Sequence, residues 1–285
     1  MYENQMALYM DLIAESSVKD QFLTDPSELI RRYDITPEEF NRLTFSVNVL
    51  GLKWEAWYRR LRIISSINVV FPITHKILIG TYESLQPYDL FLSSTWYKKR
   101  TRLPEYPFPH PVQLQEPFYH FIKELVSGYS PLNDGKYAYL HDVLEYENER
   151  FSVSLEASSA TATLQTIATA TRSAYVPMAR FGVYRYDIDL ISQTFNRFNT
   201  PLPFSDLVSL INPKEETKCI AFKAQSGNLR EVKLPPRFAS LYLRLNDNAV
   251  SFEDLPFLAE ASHATTEEIK KLMNGLVQYG LVDIL

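Results

Sequence analysis

The sequence predicts an α+β protein: an N-terminal helical bundle followed by a C-terminal α+β domain. Three observations carry that reading. Apolar residues recur at helical spacing from Met6 to Phe151. A run of small residues beginning Ala157-Ser158-Ser159-Ala160-Thr161-Ala162-Thr163 then interrupts the pattern. Beyond it, strand-like stretches at 218–224 and 229–234 precede three further helical patterns. The expected organisation is a helical extension over residues 1–50, a helical domain over 51–156, an Ala/Ser/Thr-rich linker over 157–177 and an α+β domain over 178–285.

In chain order, Met6, Tyr9, Met10 and Ile13 share a helical face, and a second helix follows Asp25-Pro26 through Tyr33. Thr36-Pro37-Glu38-Glu39 opens a third, carrying Phe40, Leu43 and Val47. Phe22-Leu23-Thr24-Asp25-Pro26 with Tyr33 to Glu39 is similar to helical leader-like or dioxygenase small-subunit segments, beside the plainer reading of a helical extension. Gly51 marks a break, after which Trp57, Leu61, Ile64, Asn68 and Phe71 line one helical face with Arg59, Arg60 and Arg62 around it. That arginine cluster reads as a solvated face or as a docking site for an acidic partner surface.

Phe71-Pro72 ends this helix, because proline lacks the ladder N–H and restrains the residue before it. The pattern resumes through Ile77, Leu78, Tyr82, Leu85, Leu90 and Phe91 to Trp96. Residues 103–117 hold Pro104, Pro107, Pro109, Pro111 and Pro117, so an extended surface connection is expected there, either an ordered loop or a strap around a partner. Phe118, Phe121, Ile122 and Leu125 form a helix ending at Gly128, and a longer one carries Tyr139, Leu140, Val143, Leu144, Glu147 and Phe151. Past Pro177, the run Val183, Tyr184, Tyr186, Ile188, Leu190 and Ile191 reads as strand. Asn199 to Pro203 reads as a loop, and Leu207, Leu210 and Ile211 as a short helix.

The last part, residues 218–285, is a module of its own. Ile220, Phe222 and Ala224 alternate along a half-buried strand, Ser226-Gly227-Asn228 turns the chain, and Pro235-Pro236 stops the second strand. Phe238, Leu241, Tyr242 and Leu245 recur at helical spacing. Ser251 and Asp254 open a short helix at Pro256, and Thr265 with Glu268 caps a third helix carrying Ile269, Leu272, Met273, Leu276 and Val277. Gly280 ends it ahead of a final strand. Two strands and three helices make a winged-helix layout. From Ser251 onward only Lys270 and Lys271 oppose Glu253, Asp254, Glu260, Glu267, Glu268 and Asp283, the wrong sign for a helix approaching phosphates.

Composition bounds the function classes. At 285 residues the chain is long enough for one large or two ordinary domains, and 46% hydrophobic and 13% aromatic residues describe a folded protein. A net charge of −5 argues against a general nucleic-acid binder. The single cysteine, Cys219, excludes an intramolecular disulfide and a cysteine-based zinc site and fits a reducing compartment. No apolar run approaches the roughly twenty residues of a membrane span, and the start lacks the plan of a signal peptide, so a cytoplasmic location is expected.

Motifs for catalysis are missing. His75, His110, His120, His141 and His263 are scattered without zinc spacing, and His141 with Glu145 at i, i+4 supplies half of a carboxylate–histidine site. Glu145, Glu147 and Glu149, two apart on a helix, do not face one another. There is no nucleophile-elbow, Walker or dinucleotide-binding glycine pattern among the eight glycines. Cys219 reads as a packed thiol. The chain is therefore expected to be non-catalytic and to hold no cofactor, an autonomous metalloenzyme built on His141 being the competing reading.

The tail resembles the PqqD-like peptide-recognition domains of ribosomally made, modified peptides, in which a leader peptide adds as a strand beside the third helix. The competing reading is a unit that only packs on its own chain. Further motifs follow in order: Phe71-Pro72, Ile77-Leu78 and Gly80, Phe121-Ile122, then Leu140-His141-Asp142 with Glu147. Together with the tail they resemble the HvfC/BufC-type partner proteins of multinuclear non-haem iron-dependent oxidases. One departure is Tyr58-Arg59-Arg60, shorter than the tyrosine-arginine-x-asparagine of that family. The resemblance implies a non-catalytic subunit that forms a heterodimer with an iron-dependent oxidase, the iron residing in that enzyme, and that holds a precursor-peptide leader for cysteine modification. Peptide contacts are expected at Arg230, Val232 and Lys233 on the second hairpin strand and at Ile269, Leu272 and Met273 on the facing helix, with Arg59, Arg60 and Arg62 toward the partner. A winged-helix transcriptional regulator is the alternative.

Overall fold

The computed structural model describes residues 2–14, 18, 21–22, 24–46, 49–100, 110–128, 131–158, 174–197, 217–225 and 228–284. The chain is mixed helix and sheet, an α+β protein, and divides into two compact units, Met1–Pro131 and Leu132–Leu285. Most of the expected 157–177 linker, most of the proline run before His110, and the expected loop and short helix between 199 and 211 lie outside the described residues.

The first unit is helical. Helices α1 (Tyr2–Ala14), α2 (Pro26–Arg32) and α3 (Pro37–Ser46) gather a small core of Leu8, Leu12, Leu29, Ile35 and Phe40, with the Phe22 and Phe40 rings 5.0 Å apart. The caps are those the sequence promised. Asp25 accepts from the Ser27 N–H ahead of Pro26, and Thr36 and Glu39 exchange side-chain-to-backbone bonds of 2.7 and 3.2 Å. Within the first unit α1 packs along α4 (Val49–Val70), where the Arg59 guanidinium meets the Met10 sulfur at 3.0 Å. Gly51 does not break the chain but sits inside α4.

Pro72 ends α4 as expected and starts α5 (Pro72–Tyr82). Phe71 is the joint, its N–H bonded to the Ile67 carbonyl and its carbonyl accepting from the His75 N–H. Helices α6 (Gln86–Ser93), α7 (Thr95–Lys98) and α8 (Pro111–Ser127) follow among the described residues of the unit. The extended reading of 103–117 fails at its C-terminal end. Pro111 occupies the first turn of α8, where no N–H is needed, and Pro117 is carried within the helix. Its neighbour Phe118 is fully buried, with the rings of Phe71, Phe91 and Tyr88 at 5.4, 5.1 and 6.0 Å, and this packing outweighs the one ladder bond lost.

The second unit opens with α9 (Leu140–Ser158), which belongs with the sheets rather than with the helical bundle. Strands β1 (Ala174–Pro177) and β2 (Arg180–Tyr184) follow. Residues 188–197 are not strand but α10 (Ile188–Arg197). Asp187 caps it through the Leu190 N–H, and Ile188, Ile191 and Phe195 bury one face, so the helical period overrides β-propensity. Then come β3 (Lys218–Gln225), β4 (Asn228–Leu234), α11 (Ala239–Asp247), β5 (Val250–Ser251), α12 (Leu255–Ala261), α13 (Thr266–Gln278) and β6 (Val282–Ile284). Thr265 and Glu268 form the expected capping box, and Gly280 ends the α13 turn at φ +66°.

The strands make two antiparallel sheets, β2-β3-β4 and β5-β1-β6. The hairpin therefore takes β2 as its third strand, while β6 leaves the tail module to pair with β1. Register puts Phe181 opposite Ala221 opposite Val232, and Val183 opposite Cys219 opposite Leu234. That face packs on Leu241, Tyr242 and Leu245 of α11 and on Ile269, Met273 and Leu276 of α13. The other face, with Tyr184 and Phe222, is covered by α9, whose Tyr146 ring lies 5.9 and 5.6 Å from theirs. Consequently β3 is not half-buried: Cys219 through Phe222 are all buried, as in a strand between two helical layers.

Candidate functional site

The sheet β2-β3-β4 has two outer strands, and the second unit treats them differently. On β2 the Phe181 N–H donates to the Asn246 side-chain oxygen at 2.9 Å, and the Asn246 amide donates to the Phe181 carbonyl at 2.5 Å. One side chain on α11 thus satisfies both outward groups of that edge residue. No strand pairs with the outer edge of β4 among the described residues.

The pairing tells which β4 groups face outward. Because Phe181 directs both backbone groups away from β3, its partner Ala221 directs its own toward β4, where Val232 receives them. Alternation then turns the N–H and C=O of Glu231 and Lys233 to the free edge and keeps those of Arg230 and Leu234 in the ladder. Side chains alternate the other way across the sheet. Arg230, Val232 and Leu234 lie on the α13 face; Glu231 and Lys233 lie on the α9 face.

Helix α13 runs antiparallel beside β4. At one end the Arg230 guanidinium sits 5.7 Å from the Tyr279 ring, and at the other Arg237, just past β4, pairs with Glu268 at 3.3 Å. Between these ends lie the half-buried Val232, Leu234 and Leu272. Tyr279 is 57% exposed, so the strip beside the open edge is apolar with a cation at its Tyr279 end.

The six residues expected to touch a peptide therefore divide. Arg230, Val232 and Leu272 share the strip. Ile269 and Met273 are fully buried, knitting α13 to the core, so their surface is taken by their own chain. Lys233 lies on the opposite face in an ion pair with Asp189 of α10, which holds its ammonium above the ordinary lysine range. Sequence reasoning missed Glu231. It accepts from the Tyr146 hydroxyl at 3.0 Å and from Arg150 at 2.8 Å, fastening the open strand to α9. Burial and the Glu231 carboxylate push the Tyr146 phenol well above its usual range. The period-2 pattern of β4 carried the signal for this split.

The three arginines of α4 also have separate fates. Arg60 pairs with Asp89 of α6, Arg59 meets Met10, and Arg62 stacks on Tyr58, 4.8 Å from its centroid and 2.8 Å from its hydroxyl. Each of the three thus meets a group of its own chain. Cys219 is buried and its thiol is pushed up to about 11 by burial. His141 approaches Glu145 at 3.6 Å, and Glu149 turns instead to the Tyr184 hydroxyl, its own carboxyl raised by burial. Among the described residues no group of His, Cys, Asp and Glu side chains converges as a metal site would require, and no helix is long and apolar enough to cross a membrane. The chain matches no protein-family model, and no curated protein matches it.

Proposed function

We propose that the second unit is a peptide-recognition module and that the open edge of β4 takes an extended peptide as a fourth strand. The observation that carries this reading is the asymmetry of the sheet: Asn246 caps the β2 edge at Phe181, whereas among the described residues no strand pairs with the β4 edge, which runs beside an apolar strip. An exposed edge is ordinarily blunted, and one left open beside half-buried apolar side chains suits strand addition. Alternate side chains of the guest would fall along Val232, Leu234 and Leu272, and an acidic one would meet Arg230. In this reading the tail is a PqqD-like winged-helix unit. The chain serves as a non-catalytic cytoplasmic partner subunit of an iron-dependent oxidase, raising the local concentration of a precursor peptide's cysteine at that enzyme's iron.

Two measurements test it. The first is purification of the chain from its native cells, with identification of any equimolar partner and iron analysis of the eluate. An iron-bearing oxidase supports the subunit role; the chain recovered alone and metal-free removes it. The second is amide exchange with the precursor peptide encoded beside that oxidase. Binding should newly protect the Glu231 and Lys233 amides, and Arg230→Glu should weaken it. Unchanged exchange along β4 on a bound peptide would move the site elsewhere.

A further inference from the structure

Helix α12 turns Leu255, Leu258 and Ala259 inward, the i, i+3, i+4 stripe that seats it in the core. On the opposite side stands Phe257, 72% exposed. Helical spacing sets Glu260 one turn ahead of it, with Glu253 and Asp254 one turn behind in the 3-10 turn that leads into the helix. All three carboxylates are exposed and none joins an ion pair among the described residues. Phe252 adds a second exposed ring, held 4.8 Å from buried Tyr175. From Leu245 to Ile269 the chain contains no lysine and no arginine. Exposed aromatic surface is thus flanked along this segment by carboxylates, whose local field is anionic.

We propose that this face docks a basic segment of a partner protein. The sign of the field selects the occupant. Phosphate backbones and anionic bilayers are repelled, whereas an arginine or lysine can lay its stem across Phe257 and place its charge among Glu253, Asp254 and Glu260. The β4 edge is a different surface of the same unit, so either surface functions without the other.

The test titrates the full chain into a fluorescein-labelled amphipathic peptide of lysine and leucine, and into its glutamate-for-lysine counterpart. The lysine peptide is expected to bind, to weaken with added salt, and to lose about tenfold in affinity with Phe257→Ser and again with Glu253→Lys/Glu260→Lys. Arg230→Glu should leave it unchanged, which separates this surface from the peptide edge. Melting curves of the variants should match the parent, since the altered side chains are exposed. Equal binding of the glutamate peptide, or undiminished binding by both sets of variants, would overturn the proposal. Sedimentation covers the remaining occupant: a dimer that Phe257→Ser dissolves would assign the face to a second copy of the chain and overturn the basic partner.

Discussion

The side chain of Asn246 bonds both the N–H and the carbonyl of Phe181, standing where the next strand of the sheet would be. The amide offers a donor and an acceptor side by side, so this pairing cannot be reproduced by an aliphatic residue. Asn246→Leu should cost about 1–3 kcal/mol by stranding two partly buried backbone groups. Chemical unfolding would measure the loss, and amide exchange should show Phe181 losing protection while Val232 keeps it. Equal protection of Phe181 in both proteins would show that the side chain does not close this edge.

Gly182 lies two residues before Tyr184 on β2, and the Tyr184 ring folds back over it. A Cβ at this position would run into the phenol itself. The ring cannot swing aside cheaply, because Tyr184 is 2% exposed and its hydroxyl is bonded to Glu149. Gly182→Ala is expected to destabilise the second unit by roughly 1–3 kcal/mol, the usual range for overpacking. Combined with Tyr184→Leu, the loss should be less than additive, and strict additivity in a double-mutant cycle would refute the contact.

Burial raises the Glu149 carboxyl, partly offset by the hydrogen bond from Tyr184. The folded state thus favours the protonated acid. Its contribution to stability is complete below the ordinary carboxyl range and is lost as pH rises through the raised folded value. Glu149→Gln, which keeps an acceptor for Tyr184 without the ionisation, should be the more stable protein near neutrality, and the difference should shrink as pH falls through the raised folded value and level off below the ordinary carboxyl range. Urea unfolding of both proteins across acid pH checks this; a difference that grows on acidification would reverse the assigned sign.

Cys219 combines 2% exposure with a thiol raised to about 11. Since the thiolate is the reactive form, an aromatic disulfide reagent should label the native protein about a hundredfold more slowly than the urea-unfolded chain. Comparable rates would mean that this strand opens readily.

Local chemistry accounts for what could be read in advance. Asp25 before Pro26, Thr36 with Glu39, Thr265 with Glu268 and Gly280 were legible because a cap or a positive φ is decided by residues within one turn of each other. Where long-range packing competed with local preference, the reading failed. Pro117 stays in a helix because Phe118 fills the aromatic core of the first unit, and Ile188 to Arg197 is helical because three apolar residues at helical spacing meet a core.

The candidate site divides along the same line. Sequence by itself determined that 218–234 is a hairpin, that an amphipathic helix begins at Thr265, and that the tail is acidic, since alternation, capping and charge are properties of neighbouring residues. Only the tertiary structure decided that β2 becomes the third strand, that Asn246 caps its edge at Phe181 while no described strand pairs with the outer edge of β4, and that Ile269 and Met273 are spent in the core. Those outcomes depend on which segments meet across 65 residues for Phe181 and Asn246 and 85 for Tyr146 and Glu231. Pairing at that range is set by the joint burial of whole elements, which no local pattern encodes.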